Sequence, residues 1–493
     1  MLFNSLHFLL FFAIVTPTYF FLSQKFRVLF LLIASCYFYM AFLPVYILIL
    51  AGTIVIDYIA GIYIEKTQGK KRKLYLVISL ISNIGILCIF KYYNFLNENI
   101  SHVLNVFGYE NHIPNLSILL PIGLSFHTFQ AMSYTIEVYR GNQPAERNFI
   151  TYSLYVMFYP QLVAGPIERP QNLLYQFKQK HNFEYQRVVD GLKLMAWGMF
   201  KKVVIADRLA EMVNYVYNDP TSFKGFPLII ATVFFAIQIY CDFSGYSDIA
   251  IGSAQVMGFK LMRNFERPYF SKSISEFWKR WHISLSTWFK DYLYIPLGGN
   301  RVVKWKIFRN LLLTFLISGL WHGANWTFII WGAIHGIYLV LELLLKPVKD
   351  RFFQKIKLNN ENYFYRLFSA LFTFSLVTFA WIFFRANSFK DAKHIITNFF
   401  IATKPQYRLL KAGDTESMHR FIYLGTTNMN FLIALSSITF LFIVEFLERK
   451  NNLRQSLTRS NPVIKWSCYS GIILLILYFG VFTKNIQFIY FQF

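Results

Sequence analysis

The chain has 493 residues, of which 55% are hydrophobic, 20% aromatic and only 15% charged. Soluble domains carry about 25% charged residues, so this composition excludes an ordinary soluble protein and indicates a chain that lies in lipid. The formal net charge of +24 would favour nucleic-acid binding in a soluble protein. Here the positive charge lies mainly in short loops between apolar runs, as in the cytoplasmic loops of membrane proteins, and we expect no nucleic-acid partner.

Apolar runs of spanning length recur along the chain and predict one all-α polytopic membrane domain over residues 1–493, without internal repeats. The predicted apolar segments are, in chain order, Leu6–Leu22, Val28–Phe42, Val45–Ile64, Leu74–Phe90, Pro121–Tyr134, Gly191–Ile205, Phe226–Tyr240, Asn310–Leu320, Trp326–Leu345, Leu367–Phe384, Phe431–Phe446 and Val463–Phe482. The first has no basic segment before it and no small-residue cleavage motif, which predicts a spanning helix rather than a removed signal peptide.

Basic loops indicate the topology. The most basic short loop is Glu65–Lys73, and the positive-inside rule places it in the cytoplasm. Strict alternation then places the N-terminus outside. By the same rule Lys346–Arg366 is cytoplasmic, and the mixed-charge stretch Arg385–Asn430 lies on the outer face.

Three polar stretches depart from simple spanning helices. Pro121–Tyr134 mixes Pro, Gly, Ser, His and Gln, which indicates a helix packed inside the protein and lining a cavity. Val163–Pro170 has two prolines and a glycine, so we expect a re-entrant turn there. Asp242 and Asp248 lie between apolar flanks. The four cysteines lack metal-ligand spacing and are expected to be inert, so we predict no metal site.

The segment Met257–Arg309 is amphipathic and basic, and is therefore predicted to be cytoplasmic. Asn310–Leu320 is too short to cross a hydrocarbon core of about 30 Å. His322 follows Arg309 after about a dozen residues, or roughly 18–20 Å of helix. We therefore expect His322 to lie well inside the membrane.

The residues around His322 favour a general base. Gly323 and Ala324 leave room for a substrate, and Asn325 offers an amide. Neutral imidazole is the usual base near physiological pH, and desolvation keeps it neutral. The structural alternative is a core histidine bonded to a neighbouring carbonyl. Nucleophile-elbow, zinc-protease, Walker and dinucleotide-binding motifs are absent from the sequence, and a lone base suffices when the donor is an activated thioester.

The other candidates carry weaker signals. His282 lies in the basic segment, where an interfacial aromatic and cationic face is the ordinary explanation, and packing is favoured for His335 and His127. Cys241 is a poor nucleophile because the neighbouring Asp242 disfavours its thiolate. Cations of the basic segment suit the phosphates of coenzyme A or, equally, anionic lipid headgroups. The supporting set that we predict comprises Asn325, Trp321, Lys279, Arg280, Lys290, Asp291, Arg301 and Asp242.

Several segments together resemble the membrane-bound O-acyltransferase family, in the branch of bacterial alginate O-acetylation. They are P-I-G-L-S-F-H-T-F-Q, L-V-A-G-P-I-E-R-P, I-Y-C-D-F-S-G-Y-S-D-I-A-I-G, the long E-F-W-K-R-W-H-I-S-L-S-T-W-F-K-D-Y-L-Y-I-P-L-G-G-N-R, L-W-H-G-A-N-W and the C-terminal F-I-Y-F-Q-F. The resemblance is densest in a core of about residues 120–345. It implies catalytic roles for His322 and for His282, forty residues earlier (322 − 282 = 40).

The resemblance also implies a fold and a reaction. The fold is a ring of about 11–12 transmembrane helices with re-entrant and interfacial helices around a central tunnel. The reaction moves an acyl group, acetyl, from acetyl-CoA or another cytosolic thioester for O-acetylation of a cell-surface or exported polysaccharide. The implied partner is an extracytoplasmic acetyltransferase or the glycan itself, and the implied location is the bacterial inner membrane. No cofactor is expected to be bound permanently.

Two alternatives stay open. The branch that transfers D-alanine to teichoic acids shares the W-H-I-S-L-S type of motif. A protein of a different class, a transporter or channel, could use buried histidines as a proton relay.

Overall fold

The computed structural model describes residues 1–118, 121, 123–163, 165–355, 362–449, 453–482 and 488–489. Their regular secondary structure is entirely helical. The α-helices are α1 (Leu6–Phe21), α2 (Gln24–Met40), α3 (Ile47–Lys66), α4 (Gly69–Leu87), α5 (Tyr93–Val106), α6 (Leu124–Arg140), α7 (Phe149–Met157), α8 (Tyr159–Leu162), α9 (Pro170–Lys178), α10 (Tyr185–Met199), α11 (Asp207–Tyr217), α12 (Phe226–Met257), α13 (Ile274–Arg280), α14 (Ile283–Phe289), α15 (Lys304–His322), α16 (Trp326–Lys355), α17 (Tyr363–Arg385), α18 (Phe389–Asn398), α19 (Thr403–Lys411), α20 (Thr415–Phe421), α21 (Asn428–Glu448), α22 (Leu453–Arg459) and α23 (Pro462–Phe479). Turns of π-helix cover Cys88–Tyr92, Phe200–Ala206 and Lys290–Tyr294, and short 3₁₀ turns cover Pro44–Tyr46, Pro220–Ser222 and Pro268–Phe270.

In the described residues, seven helical segments are long and apolar enough to cross a membrane, which confirms the all-α polytopic prediction. They are Pro44–Lys66, Gly69–Val106, Phe226–Met257, Trp326–Arg351, Tyr363–Arg385, Asn428–Glu448 and Pro462–Phe479. Other predicted spans are shorter or divided: α1 has 16 residues, and the run Gly191–Ile205 is split between α10 and a π-helical turn. The expected total of about 11–12 spans, and the tunnel, stay predictions.

The chain forms two compact units. Unit 1 comprises Met1–Ala196 and Tyr246–Arg263, and unit 2 comprises Trp197–Gly245 and Asn264–Phe493. Two of the three boundaries fall inside α10 and α12, and the third lies between Arg263 and Asn264. The expectation of one functional domain stays a prediction, and the predicted core of about 120–345 contributes to both units.

Unit 1 contains the polar helix that the sequence placed inside the protein. From Phe126 to Thr135 every side chain of α6 is buried. The hydroxyl of Ser79 of α4 donates to Asp57 of α3 at 2.6 Å, and its oxygen lies 2.9 Å from the hydroxyl of Thr135. Asn83 donates to both oxygens of Asp57, at 3.0 and 2.9 Å. Because each of these groups has a protein partner, the cluster is compatible with helices at membrane depth.

The stretch Val163–Pro170 is also in unit 1, and Ala164 lies outside the described residues. The described part from Gly165 to Arg169 is non-helical and connects α8 to α9. Its Glu168 is fully buried and accepts hydrogen bonds from the backbone N–H of Met262 and, at 3.5 Å, from Asn172. The unwound segment is therefore covered by protein, as the re-entrant prediction requires.

In unit 2, the helical hairpin of α15 and α16 carries His322. The basic residues Lys304, Lys306 and Arg309 belong to α15, which runs unbroken for 19 residues. Asn310–Leu320 is therefore part of this longer helix and not a separate short segment. The two helices approach closely at Gly319 and Gly332. A Cβ at Gly319 would lie 2.3 Å from the carbonyl oxygen of Phe328, and one at Gly332 would lie 2.2 Å from that of Phe315. Small residues let the helix backbones pack this closely.

The core of unit 2 is rich in aromatic side chains, including the fully buried Trp281, Trp331 and Trp381. These rings come from the end of α13, from α16 and from α17. Ser273 is the N-cap of the short helix α13, and its hydroxyl accepts from the backbone N–H of Glu276. This core forms the surroundings of both candidate histidines.

Candidate active site

His322 is the last residue of α15 and is buried among aromatic rings. The helix ends there because Gly323 is extended, with φ −161°. The imidazole lies against the rings of Trp321, Trp331 and Phe384, at centroid distances of 4.9, 4.9 and 5.4 Å. Only 5% of the residue is exposed. A base in such a setting is fixed in orientation and shielded from bulk water, as general-base chemistry on a thioester requires.

A second histidine, His335, contacts Trp331, one of the aromatic rings that surround His322. The indole N–H of Trp278 donates to its Nδ1 at 3.3 Å, and the ring of Trp331 is 5.0 Å away. His335 is fully buried. Packing, the interpretation favoured by the sequence, matches these contacts.

His282 is fully buried, so the interfacial surface role weighed for it from the sequence is wrong. It is the N-cap of α14, with φ 43° and ψ 55°. A non-glycine residue in this left-handed region costs of order 1–3 kcal/mol, and such strain clusters at functional sites. Its ring lies edge-on to Phe243, 4.6 Å between centroids. Sequence composition suggested a surface because the segment is basic, but only flanking side chains face outward.

Asn264 fixes the imidazole of His282. Its Oδ1 lies 3.1 Å from Nδ1 of the ring and also accepts from the backbone N–H and hydroxyl of Ser284, at 3.2 and 2.8 Å. An oxygen that accepts from Ser284 requires Nδ1 to carry the ring proton, which leaves Nε2 as the acceptor nitrogen. Burial lowers the pKa of His282 to about 3. The ring is therefore neutral at physiological pH.

Stacked tryptophans connect the surroundings of the two histidines. Trp281, directly before His282, lies 5.1 Å from Trp381. Trp381 stacks on Trp331 at 5.8 Å with an interplanar angle of 19°, and Trp331 contacts His322. The packing of one histidine is thus coupled to that of the other through three rings of the same core.

The loop after His322 differs from the expectation of open space. A Cβ at Gly323 would lie 2.1 Å from the ring of Phe328, so that space is occupied. Asn325 caps α16, since its Oδ1 accepts from the backbone N–H of Thr327 at 3.0 Å. Its Nδ2 points to the carbonyl of Asn387, at 3.4 Å. These contacts make Asn325 a loop-positioning residue, and the substrate-supporting role predicted for it stays a prediction.

The predicted donor-side charges lie at the surface of unit 2. Lys279, Lys290 and Arg301 are exposed, and Asp291 is half-buried in the π-helical turn Lys290–Tyr294. The guanidinium of Arg280 pairs with Glu276 at 2.6 Å, which offsets its charge. Trp321, in contrast, is buried directly beside the imidazole of His322.

Asp242 belongs to a different, buried ionic cluster. Its Oδ1 lies 2.6 Å from Nζ of Lys202, which also contacts Asp207 at 2.8 Å. Its Oδ2 accepts from the backbone N–H of Ile489 at 2.8 Å. Ile489 and Phe488 are the described residues of the C-terminal F-I-Y-F-Q-F motif, whose other four residues lie outside the described chain. Asp242 therefore holds the C-terminal segment rather than an imidazole.

Sequence reasoning missed the residues that orient the histidines. Asn264 lies eighteen residues before His282 (282 − 264), and Trp331, Trp381 and Phe384 come from two later helices. Asn264 appears in the N-F-E-R-P motif, but nothing local connects it to His282. The connections exist only because distant segments pack together.

Comparison with known proteins gives one family. The model of the membrane-bound O-acyltransferase family matches residues 142–387, a range that contains His282 and His322. The chain is 40% identical over 400 residues to the probable alginate O-acetylase AlgI of Pseudomonas aeruginosa, an alignment that covers 80% of this chain and 73% of that protein. It is 34% identical to the peptidoglycan O-acetyltransferase of Helicobacter pylori, over 82% of this chain and 81% of that protein.

A more distant relative is the teichoic acid D-alanyltransferase of Streptococcus thermophilus. It is 28% identical over 287 residues, which cover 54% of this chain and 69% of that protein. The identity and the covered share of this chain are both lower than for the O-acetylating relatives. This ordering agrees with the resemblance of the sequence to the alginate O-acetylation branch.

Proposed function

Because the chain belongs to the membrane-bound O-acyltransferase family and is a multi-pass membrane O-acyltransferase, we propose that it moves acetyl from a cytosolic thioester towards hydroxyl groups of a cell-surface polysaccharide, with His322 as the general base. The observation that carries this proposal is the buried imidazole of His322 inside the W-H-G-A-N-W motif. The O-acetylating names of the most similar relatives support acetyl over D-alanyl.

The chemistry requires one base and an activated donor. Neutral His322 removes the proton from the acceptor hydroxyl while the oxygen attacks the thioester carbonyl. The tetrahedral intermediate collapses, the carbon–sulfur bond breaks, and the imidazolium returns the proton to the thiolate. The products are the ester and the free thiol, so no net proton is gained or lost. The aromatic walls exclude water that would otherwise hydrolyse the donor.

The donor is proposed to be acetyl-CoA. Exposed Lys279, Lys290 and Arg301 lie in the basic segment before α15, on the predicted cytoplasmic side. Cationic side chains of this kind attract the phosphates of coenzyme A. His282, neutral and held by Asn264, helps to orient the aromatic core beside His322 through the adjacent Trp281.

The acceptor is proposed to be a glycan, reached directly or through an extracytoplasmic acetyltransferase, at the bacterial inner membrane. The relatives named for alginate and peptidoglycan support a glycan in general terms. Phosphate-rich lipid headgroups would satisfy the same surface cations, so lipid contact accompanies this function.

Replacing His322 tests the proposal. His322→Ala, expressed at the wild-type level, is expected to remove extracellular O-acetyl groups, because loss of a general base costs about 10²–10⁴ in rate. His335→Gln is the matched control, since His335 is equally buried but has a packing role. Glycan from each strain is scored for O-acetyl content. Unchanged acetylation in His322→Ala would exclude the proposed role and favour the transporter class.

A further inference from the structure

Arg385, the last residue of α17, lies in a pocket of amide side chains. Its Nη2 donates to Oδ1 of Asn214 at 2.7 Å and to Oδ1 of Asn218 at 3.2 Å. Its Nη1 donates to Oδ1 of Asn387 at 3.3 Å, and the guanidinium lies over the ring of Tyr217 at 5.5 Å. Only 8% of Arg385 is exposed.

The described hydrogen-bond partners of this guanidinium are neutral amide oxygens. Among the described residues, no carboxylate forms an ion pair with Arg385. Arg280 differs from Arg385 in this respect, because the carboxylate of Glu276 pairs with its guanidinium and offsets the charge. Burying a cation without a counter-ion is costly, and an apolar side chain could fill the same space without that cost. Arg208 is buried on neutral partners in the same way, so what distinguishes Arg385 is the exposed amides of Asn218 and Asn387 beside it.

The cluster is next to the catalytic loop. Phe384, one residue before Arg385, has its ring 5.4 Å from that of His322. The backbone carbonyl of Asn387 accepts from Asn325 at 3.4 Å, three residues after His322. A ligand held by the cluster would therefore lie beside the loop that presents the imidazole.

The cluster also has an open side. Asn218 and Asn387 are exposed, although Arg385 between them is buried. Arg385 ends one membrane-spanning segment, and Trp326, 55% exposed, begins the preceding one. The basic stretch between these segments is predicted to be cytoplasmic, which puts the opposite ends, Trp326 and Arg385, on the outer face.

We propose that Arg385 and the amides of Asn214, Asn218 and Asn387 bind the acceptor glycan on the outer side and direct one of its hydroxyls to His322. This inference rests on the proposed function. Glycans carry dense hydroxyl groups that both donate and accept, which suits amides and a guanidinium arranged around an opening. The predicted cytoplasmic cations serve the donor, so the two substrates enter from opposite sides.

Direct binding tests this site separately from catalysis. The probe is the host's own exopolysaccharide, freed of O-acyl groups with mild base, cut to oligosaccharides and titrated onto the purified full-length protein. Arg385→Lys is expected to weaken binding about tenfold, and Asn387→Ala severalfold, because each removes a fixed hydrogen bond. His322→Ala should bind like the wild type.

Arg208→Lys is the matched control. Arg208 is also 8% exposed, and its Nη1 and Nη2 donate to Oδ1 of Asn430 and the carbonyl of Phe479, both at 2.6 Å. It should leave glycan affinity within about twofold. In turnover assays, Arg385→Lys should raise KM for the oligosaccharide and leave KM for acetyl-CoA unchanged. Asn387→Ala, on the exposed rim, keeps the test valid if an arginine variant fails to fold.

Two results would overturn the glycan site. One is that Arg385→Lys and Arg208→Lys weaken glycan binding equally. The other is that the protein binds no glycan, while a secreted protein partner binds through the same residues. Glycan binding that depends on Arg385 in a protein that transfers no acyl group would refute the proposed function and leave the site standing. Acyl transfer that depends on His322 but is unchanged by substitution of Arg385 and Asn387 would refute the glycan site and support the proposed function.

Discussion

The indole of Trp331 meets the imidazole of His322 at 90°, with the ring centroids 4.9 Å apart. Edge-to-face geometry of this kind contributes about 0.5–1.5 kcal/mol beyond burial. The contact leaves the imidazole little rotational freedom, because Phe384 and Trp321 lie against other parts of the same ring. Aromatic packing thus helps to orient His322.

Gly323→Ala should disturb this arrangement. The added methyl group would lie 2.1 Å from the ring of Phe328, so the ring or the loop that carries His322 must shift. We expect turnover to fall at least tenfold, since misplacing a catalytic group by about 1 Å costs up to 10²-fold. Initial rates of acetyl transfer by purified variants measure this.

Gly52→Ala is the control, because nothing lies within 4 Å of a Cβ there. Its activity should equal that of the wild type. The double variant Gly323→Ala/Phe328→Leu should recover part of the loss, because the smaller side chain makes room. Additive losses in the double variant would contradict the steric explanation.

Asn264→Ala should lower activity through His282. It removes the acceptor for Nδ1–H and for Ser284, leaving buried donors unsatisfied at a cost of about 1–3 kcal/mol. A rate loss of about tenfold or more is expected. Asn264→Asp keeps the acceptor oxygen but adds negative charge, which favours imidazolium. Its activity profile should therefore shift to higher pH, whereas an unshifted profile would remove His282 from the reaction.

Acid should destabilise the fold through His282. Burial lowers the pKa of this group in the folded protein to about 3, from an ordinary value of 6.5. Between these values the unfolded chain binds a proton that the folded chain does not. Stability therefore falls as pH drops from about 6.5 towards 3, by at most ~1.4 kcal/mol per pH unit from this residue.

Thermal unfolding midpoints in detergent between pH 7 and pH 5 measure this dependence. His282→Gln should reduce the slope of midpoint against pH. The same substitution at the exposed His419 should leave the slope as it is in the wild type. Identical slopes in the wild type and His282→Gln would show that His282 does not titrate as described.

Lys202→Met should strongly destabilise unit 2. It leaves the carboxylates of Asp207 and Asp242 buried without their cation, and breaking a buried pair costs about 3–5 kcal/mol. Asp242→Asn alone should also destabilise, because the contact to Ile489 weakens. The double variant Lys202→Met/Asp242→Asn should lose less than the sum of the two, as measured by unfolding midpoints. A catalytic role for Asp242 would instead predict lost activity at an unchanged midpoint.

Much of the fold was predictable because a long apolar helix is a local property of the sequence. Segments such as Val45–Ile64 and Leu367–Phe384 coincide with helices that can span a membrane. The prediction of a separate short segment Asn310–Leu320 is wrong, because lysine and arginine are good helix formers and α15 continues through them from Lys304 to His322. Helix ends that are predicted only from a change in side-chain charge are therefore less reliable than the helices themselves.

The sequence by itself determined the membrane class, the family motifs and the two candidate histidines, since these depend on composition and on short spacings. Only the tertiary structure decided that His282 is buried and held by Asn264, that Phe328 fills the space beside Gly323, and that Asp242 pairs with Lys202. It also brought Arg385 to the amides of Asn214 and Asn218. Each of these contacts joins residues that are distant in sequence or on different elements. Hydrogen bonding and close packing depend on how near two groups are in space, which the local sequence does not specify.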